Sequence, residues 1–132
     1  LPQDARCWSD ILKANGYQTG YIGKWHLDAP HKPYVDTYNN QGAVAWNEWC
    51  PKERRHGFDY WYSYGTYDVH KHPHYWDTEG VKHEINEWSP AHEADKAISY
   101  LRNEGNVRDP NKPFFMMVSF NPPHSPYASL ED

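Results

Sequence analysis

The sequence contains few branched aliphatic residues and no long apolar segment. Its mean hydropathy is −1.05, and no apolar run approaches the ~20 residues that a membrane-spanning helix requires. Aromatic residues make up 17% of the chain, so tyrosine and tryptophan supply most of the large apolar side chains. Their polar groups need hydrogen-bond partners when buried. In 132 residues, about one domain, we therefore expect no large aliphatic core and no membrane span.

The sequence also lacks a cluster of basic residues. The formal net charge is −5 at pH 7, and the densest basic stretch, residues 52–55, contains its own glutamate. Because proteins bind nucleic acid through basic surfaces, we expect no nucleic-acid partner.

Cysteine is scarce, with Cys7 and Cys50 as the only two. This number does not resemble the disulfide framework of a small secreted domain. The two residues could form one disulfide, but we expect two thiols. Because the sequence begins with Leu1 rather than methionine, we expect residues before it, and a missing signal peptide does not identify the compartment.

A helix followed by a strand is predicted near the start of the chain. Residues 4–15 carry apolar side chains at helical spacing and precede Gly16, which predicts a helix of about three turns. These apolar side chains are Trp8, Ile11 and Leu12. Residues 17–23 are rich in β-forming residues, which predicts a strand.

A second helix and strand are predicted in the last third of the chain. Ser89 suits a helix N-cap, Pro90 suits the first helical position, and Gly105 follows the last periodic residue. The predicted apolar face of this helix consists of Ala91, Ala94, Ile98 and Leu101. The continuous apolar run 114–120 predicts a strand that is buried on both faces of a sheet.

These units predict an α/β fold, with a mixed or parallel sheet and flanking helices. The middle region, 28–88, has no clear periodicity, although the aromatic stretch 58–64 suits a further strand. A buried parallel strand needs neighbours and helical cover, and only two strands are convincing. We therefore expect the chain to be part of a larger α/β domain.

Polar side chains follow both predicted strands. Residues 23–26 read GKWH, and residues 121–124 read NPPH. Because ligands of open α/β sheets bind at the carboxyl ends of the strands, we expect these two segments to meet. Since residues i and i+2 of an extended chain face the same way, Lys24 and His26 should point together.

One ammonium group and two imidazoles suit the transfer or hydrolysis of a sulfate or phosphate ester. A lysine balances the charge of a tetrahedral oxyanion, and a histidine can orient a nucleophile or protonate a leaving oxygen. The alternative is structural, with Lys24 as a solvated surface residue and the histidines as packed side chains.

Three segments resemble the type I sulfatases, which are formylglycine-dependent sulfuric ester hydrolases. Residues 12–27, LKANGYQTGYIGKWHL, resemble the second signature of that family. The segment 57–62, GFDYWY, resembles its G-F-D-x-F/W element, and residues 113–127, PFFMMVSFNPPHSPY, resemble a later segment. They occur in the family's order and cover nearly the whole chain.

The resemblance implies an alkaline-phosphatase-like domain that hydrolyses sulfate monoesters, here of carbohydrates. It implies that Lys24 binds sulfate, that His26 is catalytic and hydrogen-bonds the formylglycine hydroxyl, and that His124 both contacts sulfate and acts as the general acid. A phosphatase or phosphonate hydrolase of the same superfamily is the nearest alternative.

Several family elements are absent. Cys7 is followed by WSDI and does not match the formylglycine precursor motif C-x-P/A-x-R, so the resemblance places formylglycine before residue 1. Ligands of the family's Ca²⁺ are likewise expected outside this chain. We therefore expect residues 1–132 to be a partial N-terminal catalytic domain that is inactive alone, from a periplasmic or secreted parent.

The middle region contains a histidine-rich stretch, HKHPHYW, at residues 70–76. A metal site formed by His70, His72 and His74 is one interpretation, but no familiar zinc spacing surrounds them. A solvated or substrate-facing loop is the preferred interpretation, with aromatics that either stack on a sugar or pack against the loop. A standalone module that binds metal or glycan is the non-enzymatic alternative.

Overall fold

The structure is a computed structural model that describes residues 1–27 and 49–127. Its helices are α1 (Trp8–Ala14) and α2 (Ser89–Leu101), with two short 3-10 turns at Lys52–Arg54 and Glu104–Asn106. Its strands are β1 (Gln18–Lys24), β2 (Tyr60–Tyr64), β3 (His74–Asp77), β4 (Lys82–Glu84) and β5 (Phe114–Ser119). None of the described helices is long and apolar enough to cross a membrane.

The five strands form one mixed sheet in the order β4-β3-β2-β1-β5. The strand β1 lies between β2 and β5 and is parallel to both, whereas β3 and β4 add an antiparallel extension beyond β2. The predicted α/β class is therefore confirmed. Because β1, β2 and β5 are parallel, their carboxyl ends lie at one edge of the sheet.

Aromatic side chains fill the space on both faces of the sheet. One cluster consists of Tyr21, Trp25, Cys50, Phe58 and Trp61. The other consists of Ile22, Tyr62, Tyr64, Tyr67 and Tyr75. Alternation along β1 separates the clusters, since successive residues of a strand point to opposite faces. The core is thus largely aromatic, as the composition predicts.

The two helices cover opposite faces. Trp8 of α1 packs edge-on against Phe115 of β5, with ring centroids 4.3 Å apart. On the other face, Ala97 of α2 packs against the second aromatic cluster. The helix α1 is shorter than the predicted three turns because the backbone N–H of Cys7 donates to the Asp10 carboxylate at 2.8 Å, which caps the helix there.

The prediction that only two strands are convincing was wrong, although the strand suggested within 58–64 is confirmed as β2. The strands β2, β3 and β4 all lie in the middle region, where short length and aromatic content hide any period. The predicted burial of the last strand on both faces was also wrong, because Met117 is 40% exposed. Within the described residues β5 is an edge strand with β1 on one side, so its outer side lacks cover.

The predicted apolar face of α2 was wrong as well. Ile98 and Leu101 are exposed, and Ala91 is too. The helix instead turns polar and aromatic residues to the sheet, namely Ser89, His92, Glu93 and Tyr100. The tyrosine-rich core explains why polar residues are buried here, because the tyrosine hydroxyls form hydrogen bonds with them. The Tyr75 hydroxyl donates to Glu93 at 3.0 Å, and the Tyr62 hydroxyl lies 2.9 Å from His92 Nε2.

Cys7 and Cys50 remain as thiols and form no disulfide. Cys7 is half-buried at the start of α1, whereas Cys50 is buried in the first aromatic cluster. The expectation of two thiols is therefore confirmed.

Candidate functional site

Lys24, His26 and His124 line one pocket of about 360 Å³. They reach it because β1 and β5 are parallel neighbours whose carboxyl ends open at the same edge. The remaining wall is partly apolar and includes Leu27, Met117 and Phe120. The structure thus brings together the three side chains that the strand-end argument predicts to meet.

Trp25 points away from this pocket, as strand alternation predicts. It is 4% exposed, and its ring lies edge-on to Tyr21, with ring centroids 4.9 Å apart. Because Trp25 fills the core, Lys24 and His26 on either side of it are directed toward the pocket. Its burial fixes the direction of this short segment.

The ammonium group of Lys24 lies in a polar, nearly enclosed position. Its side chain is 10% exposed and forms an ion pair with Asp68. It also donates to the Asn121 side-chain oxygen at 3.1 Å, and the Asn121 amide donates to the backbone carbonyl of Tyr67 at 3.2 Å. Because an ammonium has three N–H donors, one donor remains for an anion in the pocket.

Asp68 is the site residue that the sequence reasoning missed. It follows β2, and β2 is a parallel neighbour of β1, so it reaches the same sheet edge. Burial acts to raise the pKa of Asp68, but hydrogen bonds from Lys24 and Asn121 outweigh burial and hold that pKa below its ordinary value. Applying the strand-end rule to the aromatic stretch 58–64 would have found this carboxylate.

His124 lies at the rim of the pocket, with a side chain that is 54% exposed. Its Nδ1 is 3.2 Å from an Asp68 carboxylate oxygen and 2.7 Å from the Ser125 carbonyl. His70 Nε2 donates to the His124 backbone carbonyl at 2.9 Å. His26 is also exposed, so both imidazoles are open to a ligand.

The histidine-rich stretch does not form a metal site in the structure. Among residues 1–27 and 49–127, the one group of three potential ligands is Cys7, Asp10 and His56. His74 belongs to β3 and stacks on Tyr67, with ring centroids 4.6 Å apart. Burial lowers the pKa of His74 to about 4, so its ring is neutral at pH 7.

The preferred interpretation of this stretch as a solvated or substrate-facing loop was also largely wrong. His70 is 3% exposed and Tyr75 is fully buried, while His72 is exposed. The nearby aromatics Trp61, Tyr64 and Tyr67 are each 1% exposed, which supports the packing alternative over stacking on a sugar.

The described residues do not fit a Ca²⁺ site. Calcium takes six to eight oxygen ligands, whereas the group at Cys7 offers one sulfur and one imidazole among its three atoms. Beside the pocket, the Asp68 carboxylate is already held by Lys24 and faces His124. This part of the chain therefore supplies cationic and imidazole groups rather than a calcium shell.

Comparisons with known proteins agree with this arrangement. A family model described as Sulfatase matches residues 1–132. An endo-4-O-sulfatase of Bacteroides thetaiotaomicron is 55% identical over 139 aligned residues, which cover 100% of this chain and 27% of the relative. The chain thus spans about a quarter of the length of that relative.

Solved structures show the same fold. One, from work on the metabolism of multiple glycosaminoglycans by Bacteroides thetaiotaomicron, superposes with a TM-score of 0.88 at 55% identity, over 100% of this chain and 28% of that one. Another, solved with its substrate D-glucosamine-2-N,6-O-disulfate, gives 0.61 at 26% identity, over 95% of this chain and 20% of that one. These neighbours confirm the predicted alkaline-phosphatase-like fold, and with the family match over its full length this chain belongs to the sulfatase family.

Proposed function

We propose that this chain forms part of the catalytic domain of a sulfuric ester hydrolase that cleaves sulfate monoesters of carbohydrates. The observation that carries the proposal is the shared pocket of Lys24, His26 and His124 at the ends of two adjacent parallel strands. The family match supports the enzyme over the non-enzymatic module.

In this proposal each of the three side chains has its own role in hydrolysis. The remaining N–H donor of Lys24 donates a hydrogen bond to a sulfate oxygen. His124 donates a proton to the ester oxygen as the S–O bond breaks, so that the sugar leaves as an alcohol. His26 hydrogen-bonds the nucleophile's hydroxyl. Over the whole reaction one water is consumed. Its oxygen ends in the sulfate ion, one of its hydrogens replaces the proton given by His124, and the other is released to solvent.

Two groups of the site are proposed to lie outside the described residues. Formylglycine, placed by resemblance before residue 1, would supply the nucleophile, and Ca²⁺, held by ligands elsewhere, would neutralise sulfate oxygens. We further propose a periplasmic or secreted location, in keeping with the family resemblance. Residues 1–132 would then be one part of the N-terminal catalytic domain and inactive alone.

The charge of the described pocket wall favours sulfate over phosphate. The ammonium of Lys24 is matched by the buried carboxylate of Asp68, so this part of the wall adds little net charge. A sulfate monoester carries one negative charge, whereas a phosphate monoester approaches two at pH 7. The singly charged ester therefore needs less compensation from the rest of the site.

A carbohydrate substrate is supported by the relatives. The endo-4-O-sulfatase name specifies an O-sulfate ester, and one structural neighbour holds a disulfated glucosamine as its substrate. The pocket has an apolar wall beside its polar groups, which suits the face of a sugar ring.

The test is product release by the mature full-length protein. Sulfated glycosaminoglycan disaccharides, with the sulfate at different positions, are incubated alongside glucosamine 6-phosphate, and the free anions are separated by ion chromatography. We expect sulfate from at least one disaccharide and no phosphate. Release of phosphate without sulfate would establish the phosphatase alternative, and release of neither by folded protein would contradict the proposal.

A further inference from the structure

Asp68 connects the two strand ends that form the pocket. Its carboxylate accepts a hydrogen bond from Lys24 at the end of β1 and faces Nδ1 of His124, which follows β5. Asp68 itself follows β2. One buried side chain, 8% exposed, therefore contacts groups from both of the other parallel strands.

Lys24 holds this carboxylate in its ionised form. The ion pair is nearly enclosed, with 10% and 8% of the two side chains exposed. Since breaking a buried pair leaves an uncompensated charge, the carboxylate is costly to move or neutralise. It therefore offers His124 a fixed acceptor.

Two acceptors at Nδ1 determine how the His124 ring is oriented. The Ser125 carbonyl accepts its hydrogen bond at 2.7 Å, and the Asp68 carboxylate lies 3.2 Å away at ion-pair distance. Both groups near Nδ1, the Asp68 carboxylate and the Ser125 carbonyl, are acceptors, so Nδ1 carries a hydrogen and Nε2 is left to act on a ligand. The hydrogen bond made by one ring nitrogen sets the state of the other. An exposed ring with no such contact would rotate freely.

A second contact holds the backbone of the same residue. His70 is buried at 3% exposure and donates to the His124 carbonyl. Asp68 and His70 are two positions apart on one segment, so that segment contacts both the side chain and the main chain of His124.

We propose that Asp68 is a positioning residue that holds the His124 imidazole with Nε2 directed into the pocket while paired with Lys24. This inference rests on the proposed function for its kinetic consequences, but the geometry itself can be tested without turnover. A purely structural role would not couple Asp68 to His124 in catalysis.

The kinetic test is a double-mutant cycle in the full-length protein. Asp68→Asn preserves shape but removes the charge, and we expect kcat on the sulfated saccharide to fall about tenfold or more, as the loss of acid–base alignment does. In a His124→Ala background the same substitution should have little further effect, because coupled residues are not additive. Full additivity of the two losses would overturn the proposal.

Asp59→Asn is the matched control, since Asp59 is 53% exposed and pairs with Lys13 at 2.6 Å on the surface. It should leave kcat unchanged. If it lowered kcat as much as Asp68→Asn, a specific role for Asp68 would be excluded.

The structural test separates this proposal from the proposed function. In a crystal structure of the Asp68→Asn protein we expect the His124 ring to leave its present orientation, whether or not the protein has activity. A ring that stays in place would overturn the proposal. If Asp68→Asn does not fold, the double variant Lys24→Met/Asp68→Asn removes both buried charges, and the same outcomes apply. Absence of turnover in the wild type would count against the function alone.

Discussion

Gly23 of β1 lies directly beside Ser119 of β5 in the parallel pair. A Cβ atom at position 23 would be 2.3 Å from the Ser119 carbonyl oxygen, and the φ angle of Gly23 is +100°. Glycine is therefore required for two reasons: other residues rarely adopt this positive φ angle, and a Cβ atom would clash with Ser119. This close approach brings the residue before Lys24 against the strand that leads to His124.

Gly23→Ala should therefore destabilise the full-length protein by roughly 3 kcal/mol or more, because the clash is with backbone that cannot move aside. Gly16→Ala is the control, since Gly16 also has a positive φ angle but a Cβ atom there would meet no described atom within 4 Å. That change should cost only about 1 kcal/mol. Urea unfolding of both variants measures the difference, and equal losses would contradict the steric argument.

Removing the pocket's cation or its imidazoles should reduce turnover. We expect Lys24→Ala and His124→Ala each to lower kcat/KM on the sulfated saccharide by about 10²-fold or more. His26→Ala should also lower it. Lys13→Ala is the control, because Lys13 is 50% exposed and pairs with a surface carboxylate, that of Asp59. Near-normal turnover of both the Lys24 and His124 variants would show that these roles are wrong.

Glu93 should make stability depend on pH. It is fully buried, and burial raises its pKa to about 8, although the hydrogen bond from Tyr75 lowers it. The folded-state pKa thus exceeds the ordinary value of 4.5. The stabilisation by protonated Glu93 is complete below pH 4.5 and is lost as the pH rises toward 8.

Glu93→Gln should remove this dependence, since glutamine is neutral throughout and can still accept from Tyr75. We expect the variant to gain stability over the wild type from pH 5 to pH 8, by at most about 1.4 kcal/mol per pH unit. Thermal unfolding at several pH values measures this trend. The exposed Glu84, with 80% of its side chain accessible, provides the Glu→Gln control, and the same trend there would refute the assignment.

Even a conservative substitution of Arg55 should destabilise the protein. It is 1% exposed, and its guanidinium carbon lies 5.2 Å from the Trp49 ring and 5.0 Å from the Trp61 ring. Its Nε donates to the Cys50 carbonyl at 2.9 Å, and Nη1 donates to the Thr78 carbonyl at 3.0 Å. A lysine cannot reproduce the guanidinium's contacts with both rings and its two divergent donors.

Arg55→Lys should therefore lower the free energy of unfolding by on the order of 2 kcal/mol. Arg102→Lys, at a side chain that is 72% exposed, should have almost no effect. Denaturant midpoints of the two variants provide the comparison. Equal midpoints would mean that the buried guanidinium contributes no more than a surface one.

Local patterns were sufficient to predict α1, β1, α2 and β5. Glycine at the helix ends, a proline in the first turn and compact β-forming runs act within a few residues, so they can be read without a structure. The same local signals placed Lys24, His26 and His124 at strand ends. Because parallel neighbours share one edge, this was enough to predict that they meet.

The buried face of α2 could not be read in the same way. Periodicity counts Ile98 and Leu101 as core residues, yet Glu93 is the residue that is fully buried. Its burial depends on a hydrogen bond from the hydroxyl of Tyr75, a residue of β3 that lies 18 positions earlier in the chain. A hydrophobic pattern carries no information about such a partner.

The amino-acid sequence by itself was enough to identify the segments that resemble the sulfatases and to locate the main helix–strand units. It was also enough to predict that one cation and two imidazoles meet. Only the tertiary structure decided that β3 and β4 extend the sheet beyond β2 and that Asp68 forms a buried ion pair with Lys24 beside the pocket. The physical reason is the distance along the sequence over which each interaction acts. Strand pairing and a buried ion pair across 44 residues are selected by the whole fold, whereas caps, turns and alternation are selected by immediate neighbours.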